Sequence, residues 1–405
     1  MSEFDTIYLI SHRDLLKGRS DCVAVMRMAY AFSKLGFKTV VIMPYFFRKE
    51  NVKLSKVWEY YGIEKNSFKI KVLPTPLWDD AFPNLKRVLK LLFHSVFSIF
   101  LFFKFLFSGK KRYLIYMRGV IECVPYLILG KFLKNKVYLV YDLHAFRKEN
   151  FILKKILKNS HLVVSISKAL KEELLKFVDI DEEKILVFGM GIPEDYLNGI
   201  EIFSNKSHRL EMRRKLGIPL NSFVVTYTGK IYIGQKEVEL IIETAKILPD
   251  VYFLLIGGKE KVVKHFMEMC ERLGVKNVIF KGFLPPSEVL IYQRVSDVLL
   301  LFYTRDIPTF NVCSPSKLFE YMASNVPIIC VNSPSLSEII RDGENGLLVE
   351  PEDVVDLSKK IKRIKEDRAL GEKLASNALK DVENYTFEKR AKKIIEKISG
   401  SIESQ

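Results

Sequence analysis

Short runs of consecutive apolar and β-branched residues alternate along the chain with longer stretches of helical periodicity. In the first half, Thr6–Ser11, Thr39–Met43, Phe68–Val72, Tyr113–Met117, Val137–Tyr141, Leu162–Ser167 and Ile185–Phe188 predict strands. In the second half the same pattern falls on Phe223–Thr228, Val251–Ile256, Val278–Lys281, Val298–Phe302, Ile328–Val331 and Gly346–Val349. Helical patterns lie between them, among them Cys22–Leu35, Lys236–Leu248, Lys317–Ala323 and Val354–Ile364. Strands that are apolar throughout are covered on both faces, and their alternation with helices predicts parallel sheets. The chain therefore reads as α/β, with two doubly wound domains. The boundaries expected are 1–193 for the first, 194–386 for the second and 387–405 for a basic C-terminal helix. Gly189–Pro193 reads as the linker, Asn198–His208 as polar and irregular, with a new helix near Leu210. No internal repeat interrupts the series.

One segment departs from this rhythm. From Lys86 to Phe107 the chain is almost wholly Leu, Phe, Val and Ile. Thirteen residues separate Lys90 from Lys104, short of the ~20 that span a bilayer. Strands on either side of it also belong to one sheet. Arg87, Lys90, His94 and Ser98 recur at helical spacing, so they form a narrow polar stripe on an otherwise apolar helix. Between Ala81 and Ile121 stand eight basic residues, Lys86, Arg87, Lys90, Lys104, Lys110, Lys111, Arg112 and Arg118, and no acidic one. An apolar helix with such flanks suits the interface of an anionic membrane. The alternative is a Phe-rich helix packed in the core.

Composition adds direction. The net charge is +16, and residues 1–200 carry 33 Lys and Arg against 20 Asp and Glu. A basic first half implies an anionic partner. The five Cys show no ligand spacing, which argues against structural zinc and suits a reducing compartment. The acidic start, MSEFDTIYLIS, does not read as a signal peptide. The expected location is the cytoplasm, peripheral on the cytoplasmic face of the membrane.

Candidate chemistry gathers in the second half. Ser314-Pro315-Ser316-Lys317-Leu318-Phe319-Glu320 leads from one strand into a helix, with Ser314 at the N-cap and Pro315 first in the helix. The carboxyl end of a strand in an open parallel sheet is where ligands bind, and free N–H groups there favour phosphate. Glu320 is near enough to accept hydrogen bonds from ribose hydroxyls. Gly229-Lys230 ends another strand, and Lys236 opens the helix after it. Two ammonium groups so placed suit a diphosphate leaving group, whose charge grows as its bond to a sugar breaks. The block Ser337–Pro351 carries Asp-Gly and Asn-Gly turns and reads as structural. Asp179-Ile180-Asp181, followed by Glu182 and Glu183, reads as a solvated turn rather than a metal motif. The chain has no G-x-G-x-x-G after its first strand, no P-loop and no G-x-S-x-G.

Gly229-Lys230, Lys236, the SPSKLFEYMA run with Pro327, and EIIRDGENGLLVEP together resemble the nucleotide-sugar domain of retaining glycosyltransferases of family 4, glycosyl transferases group 1. Asp142-Leu143-His144, Ser165–Lys168 and Gly189–Ile192 match more loosely. The resemblance implies the GT-B fold: two facing Rossmann-like doubly wound parallel-sheet domains, with the C-terminal helix returning toward the first. It implies that Lys230 and Lys236 hold the donor diphosphate, with Gly229, Ser314, Pro315, Ser316, Lys317 and Leu318 around it, and that Glu320 holds the ribose. The first Glu of the family's E-x7-E motif falls at Val312. His144 matches a histidine near the anomeric carbon, and Gly18 the glycine that lets backbone approach the donor phosphate.

The activity expected is metal-independent transfer of a sugar, with retention, from a UDP- or GDP-linked donor to a lipid-linked or saccharide acceptor, needing no cofactor. Domain closure is expected to exclude water. The partners expected are the donor, the acceptor and an anionic membrane surface reached through the basic residues from Lys86 to Arg112, and no nucleic acid. Three other readings stand beside this one: a non-catalytic GT-B sugar-nucleotide binder, motivated by Val312; a nucleic-acid binder, motivated by the charge; and an inverting GT-B enzyme or epimerase.

Overall fold

All thirteen apolar runs form strands, with ends shifted by a residue or two. The computed structural model describes residues 4–11, 20–45, 57–74, 83–120, 123–145, 150–198 and 206–403. It divides into two units, Met1–Met190 with Phe387–Gln405, and Gly191–Thr386. The boundary thus falls inside the glycine-rich Gly189–Pro193 segment.

The first unit holds β1 (Thr6–Ile10), α1 (Ser20–Lys34), β2 (Thr39–Tyr45), α2 (Val57–Tyr60), β3 (Lys69–Pro74), α3 (Pro83–Leu106), β4 (Tyr113–Met117), α4 (Val124–Phe132), β5 (Val137–Leu143), α5 (Phe151–Asn159), β6 (Leu162–Ser165), α6 (Lys168–Phe177) and β7 (Ile185–Val187). Its strands lie parallel in the order β3-β2-β1-β4-β5-β6-β7. Every residue of β1, β4, β5 and β6 is buried, as strands covered on both faces require. Helix starts follow local chemistry: Asn150 accepts from the Leu153 amide and Ser167 from the Leu170 amide.

The second unit runs α7 (Lys206–Lys215), β8 (Phe223–Thr228), α8 (Lys236–Ile247), β9 (Val251–Ile256), α9 (Glu260–Leu273), β10 (Val278–Gly282), α10 (Pro286–Arg294), β11 (Val298–Leu301), α11 (Ser316–Met322), β12 (Ile328–Val331), β13 (Leu347–Val349), α12 (Val354–Glu366) and α13 (Arg368–Val382). Its parallel order is β10-β9-β8-β11-β12-β13. Helix α7 starts four residues before the expected Leu210. In each sheet the strand order reverses beside the first strand, between β1 and β4 and between β8 and β11, which marks the ligand crevice of such sheets.

The final helix, α14 (Phe387–Glu403), belongs to the first unit and packs on α1. Its anchor is Arg390, fully buried, whose Nη2 donates to Asp142 Oδ1 at 2.7 Å. Nη1 donates to the Tyr116 hydroxyl at 3.1 Å and contacts Asp142 Oδ2 at 3.3 Å. Tyr116 in turn donates to Asp142 at 2.5 Å. Burial alone would raise the Asp142 carboxyl; Arg390, then His144 and Arg118, hold it well below the ordinary carboxylate value.

Helix α3 corrects one expectation. Of its polar stripe, His94 and Ser98 face inward and are buried, with His94 Nδ1 3.0 Å from the Tyr126 hydroxyl of α4. The side chains of Lys86, Arg87 and Lys90 lie outside the described residues. Lys104 reaches back over the Tyr8 ring and donates to its hydroxyl at 2.9 Å. Lys110 and Lys111 are exposed, and Arg112 is half-buried, its amide donating to Asp5 Oδ2 at 2.9 Å. No helix among the described residues is long and apolar enough to cross a membrane.

Removing one partner of a buried ion pair strands the other. Arg390→Ala is expected to destabilise the first unit by ~3–5 kcal/mol, and Arg390→Lys by less. Both Trp58 and Trp78 lie in this unit, so tryptophan fluorescence during urea unfolding reads the change. Because the Asp142 carboxyl is held low, its stabilisation is complete above about pH 4 and fades as pH falls further. A midpoint unchanged by Arg390→Ala would refute the anchoring role.

Candidate functional site

The switch point of the second sheet is built on bare backbone. Gly229 follows β8, and Gly257 and Gly258 follow β9, all with positive φ. The Gly229 amide donates to the Ile256 carbonyl at 3.0 Å and the Gly257 amide to the Gly282 carbonyl at 2.7 Å. A Cβ on Gly257 would fall 1.8 Å from the Gly229 oxygen, so only glycine allows the two strand ends to approach this closely. From the other side, Tyr321 of α11 secures the end of β8: its buried hydroxyl accepts from the Thr228 amide at 2.9 Å and lies 3.0 Å from Thr228 Oγ1.

Lys317, at the start of α11, reaches into this junction. Its Nζ donates to the Thr228 carbonyl at 3.3 Å and would lie 3.4 Å from a Cβ on Gly229. The ammonium sits 4.3 Å from the Tyr227 ring centroid and 4.5 Å from that of Tyr303. Aromatic faces offset part of the desolvation of a cation without neutralising it. Among the described residues Lys317 makes no ion pair. Burial lowers its pKa to about 8, against the pull of Glu237, which is itself buried on α8 and raised by desolvation. An ammonium held out of water without a counter-charge suits an anion.

The other residues singled out in the sequence divide around this point. Lys230 is exposed next to Gly229, its Nζ 5.8 Å from the Tyr232 ring centroid. Lys236, expected beside it, is half-exposed and paired with Glu352 at 3.2 Å. Glu352 holds a positive φ of 67° and accepts from the Arg305 amide at 3.1 Å. Glu320 is half-buried; burial raises its carboxyl, countered by a hydrogen bond with Gln293 and by Lys317. Gln293 also donates to Thr228 Oγ1 at 3.3 Å, so Glu320 shares a network with the end of β8. The cap expectation needs correction: α11 begins at Ser316, its N-cap position is Pro315, and Ser314 precedes it, buried. Pro315 has ψ 134°, and no side chain caps the helix. Leu318 faces the core. Val312 presents an isopropyl group where the resemblance implies a carboxylate; its amide donates to the Thr309 carbonyl at 3.0 Å.

In the first unit, His144 lies just past the carboxyl end of β5. Its Nε2 is 2.9 Å from Asp142 Oδ2 and 2.6 Å from Arg118 Nη2. Burial, then Arg118, lower its pKa against the pull of Asp142, so the ring carries a single proton at neutral pH. That nitrogen can donate to the carboxylate or accept from the guanidinium, and one proton does not permit both. Gly18 lies outside the described residues. Asp179 is exposed, and Asp181 accepts from the Glu183 amide in a surface turn. Among the described residues no group of three His, Cys, Asp or Glu is placed to hold a metal ion.

Sequence reasoning missed Gly257, Tyr303, Glu237 and Arg118. The Gly257-Gly258 pair ending a strand was a usable signal; the others become functional candidates only through contacts between distant segments.

Residues 208–381 match the family model described as "Glycosyl transferases group 1". This stretch holds the glycine junction, Lys230, Lys317 and Glu320. The chain is 26% identical over 238 residues to an uncharacterized glycosyltransferase of Methanocaldococcus jannaschii, covering 58% of each. It is 26% identical over 230 residues to the capsular polysaccharide biosynthesis glycosyltransferase CapM of Staphylococcus aureus, covering 55% of this chain and 57% of that one. The chain thus spans little more than half the length of these curated relatives. Among solved structures, a glycosyltransferase from Rickettsia africae superposes with a TM-score of 0.74 at 16% identity, all of both chains covered. Anabaena HepE in complex with UDP superposes with a TM-score of 0.73 at 19% identity, covering 98% of this chain and all of that one. These likenesses show the fold: two Rossmann-like parallel-sheet domains, as in GT-B glycosyltransferases.

Gly257→Ala is expected to displace the end of β8 and lower the thermal midpoint of the second unit. Gly274→Ala also introduces a positive-φ strain, yet meets nothing within 4 Å, and should cost only ~1–2 kcal/mol. Equal midpoints for the two variants, read by calorimetry, would show that the junction tolerates the added methyl.

Proposed function

With a glycosyl transferases group 1 domain in its second unit, we propose that the protein is a retaining, metal-independent glycosyltransferase that moves a sugar from a nucleoside-diphosphate donor to a lipid-linked or saccharide acceptor. The observation that carries the reading is Lys317 and Lys230 beside Gly229 at the switch point of the second sheet. In this reading the bond from the anomeric carbon to the diphosphate oxygen breaks, and an acceptor hydroxyl bonds to that carbon on the same face. The acceptor proton passes to the departing phosphate. Lys230 and Lys317 offset the charge that develops there. Lys236 joins them once it leaves Glu352. Glu320 accepts from ribose hydroxyls.

Solved complexes of HepE with UDP and with UDP-glucose support a UDP-linked donor. A relative named for capsular polysaccharide biosynthesis supports a cell-envelope glycan as product. Val312 favours a second reading, a sugar-nucleotide binder without turnover.

Thermal midpoints with UDP, GDP, ADP and their sugars identify the donor, since a ligand that binds only the folded state raises the midpoint. With that donor, Lys230→Ala and Glu320→Ala are each expected to reduce transfer ~10²-fold or more, while EDTA leaves the rate unchanged and the product keeps the donor's anomeric configuration. Binding without transfer over an acceptor panel favours the second reading; no shift with any nucleotide overturns both.

A second expectation follows from Lys317. It is charged below about pH 8 and loses its proton above, whereas the diphosphate of UDP keeps a constant charge from slightly alkaline pH upward. UDP affinity measured by calorimetry should hold to about pH 8 and then fall toward tenfold per pH unit. Lys317→Arg should flatten the fall. A wild-type profile level to pH 9.5 would remove Lys317 from the diphosphate site.

A further inference from the structure

Helix α3 is amphipathic in the reverse of the usual sense. Two of its polar side chains, His94 and Ser98, are 1% and 5% exposed, Ser95 is half-buried, and exposed Lys104 turns back to the Tyr8 hydroxyl. Its outer stripe, Leu92, Val96, Ile99 and Phe103, ends at Phe107 just past the helix; Val96 is 65% exposed and Phe107 81%. These positions recur every three or four residues, so they form one continuous ridge. The neighbouring helices carry exposed apolar residues too: α4 packs on α3 and α5 on α4. Phe132 of α4 is 67% exposed and Phe151 of α5 77%. A surface helix in water places its polar residues outward; contiguous exposed apolar area of this kind marks an interface.

Charge identifies the occupant. Residues 81–160 hold sixteen Lys and Arg against three acidic residues, Glu122, Asp142 and Glu149. Asp142 is buried and committed to Arg390. Lys110, Lys111, Lys131 and Lys134 are exposed beside the apolar residues. A second copy of the chain would bring an equally basic rim against this one, which opposes self-association. An anionic bilayer supplies both the hydrocarbon and the counter-charge.

We infer that the α3–α4–α5 face of the first unit docks on an anionic phospholipid surface, with the α3 ridge entering the acyl boundary and the lysine rim at the headgroups. Nothing in this inference requires the second unit to transfer sugar, so the two readings are tested apart.

The test is co-sedimentation of the full chain with vesicles of phosphatidylcholine alone and of phosphatidylcholine with phosphatidylglycerol. Binding is expected with the anionic vesicles, weaker in high salt, and little with the neutral ones. Val96→Asp and Phe103→Asp should each lower binding about tenfold or more. Phe283→Asp, an exposed aromatic of the second unit, should leave it unchanged. The three side chains are solvent-exposed, and circular dichroism and the thermal midpoint confirm that each variant folds. No vesicle binding, equal binding to both vesicle types, or variants that bind like wild type would overturn the inference. So would a dimer on size exclusion that Val96→Asp dissociates in the absence of vesicle binding, because the face then belongs to a second copy. A salt-dependent complex with duplex DNA in place of vesicle binding would overturn it too.

Discussion

An ammonium group held out of water at the end of a parallel strand governs the chemistry of the second unit. Lys317 is desolvated by Tyr227, Tyr303 and the turn at Thr228-Gly229, and its nearest hydrogen-bond acceptor is a neutral carbonyl. Aromatic faces and a carbonyl dipole lessen the cost of such a charge without cancelling it. The junction therefore holds an incompletely compensated charge beside the glycine turn at Gly229. Lys236 illustrates the contrary case: paired with Glu352 at the surface, it has already found its counter-charge, and a ligand must compete for it.

The first unit manages its buried charge differently. Asp142 receives Arg390, Tyr116, Arg118 and His144 around one carboxylate, so nothing there calls for an external ion. The effect is positional. The C-terminal helix, distant in sequence, is fastened to the last turn of β5, and the same carboxylate faces the imidazole two residues further on. A buried network of this kind orders its members because each alternative arrangement leaves a charge without a partner. His144 is oriented by groups that themselves have little freedom, while its burial, then Arg118, keep the ring neutral against the pull of Asp142.

The sheets were legible because their strands are apolar at every position, a pattern that only burial on both faces explains. The Gly229-Lys230 turn and the SPSK loop were legible because chemistry and strand ends coincide there. Other features were not. Helical periodicity shows which residues of α3 share a side, yet it does not say which side the protein covers; His94 turned inward to the hydroxyl of Tyr126 on a neighbouring helix, and Ser98 is satisfied inside by the Ser95 carbonyl of its own helix. Arg390 and Asp142 are 248 residues apart, and nothing local to either announces the pair. The start of α11 shifted past Pro315 because that residue is extended and itself takes the N-cap position.

The same physics separates two kinds of surface. Burial on both faces exhausts the apolar residues of the strands, so any large apolar area left over must belong to helices. In the second unit the helices cover their sheet and leave scattered exposed residues such as Phe283 and Val355, which is ordinary for a protein in water. In the first unit the surplus is contiguous, along α3 and onto α4 and α5, and it coincides with the stretch that holds most of the chain's excess positive charge. Apolar area alone would be a liability in water, and positive charge alone would serve any polyanion. Their coincidence on one helix layer, with His94 and Ser98 of α3 turned inward, favours a partner that is both apolar and negatively charged over an extended area.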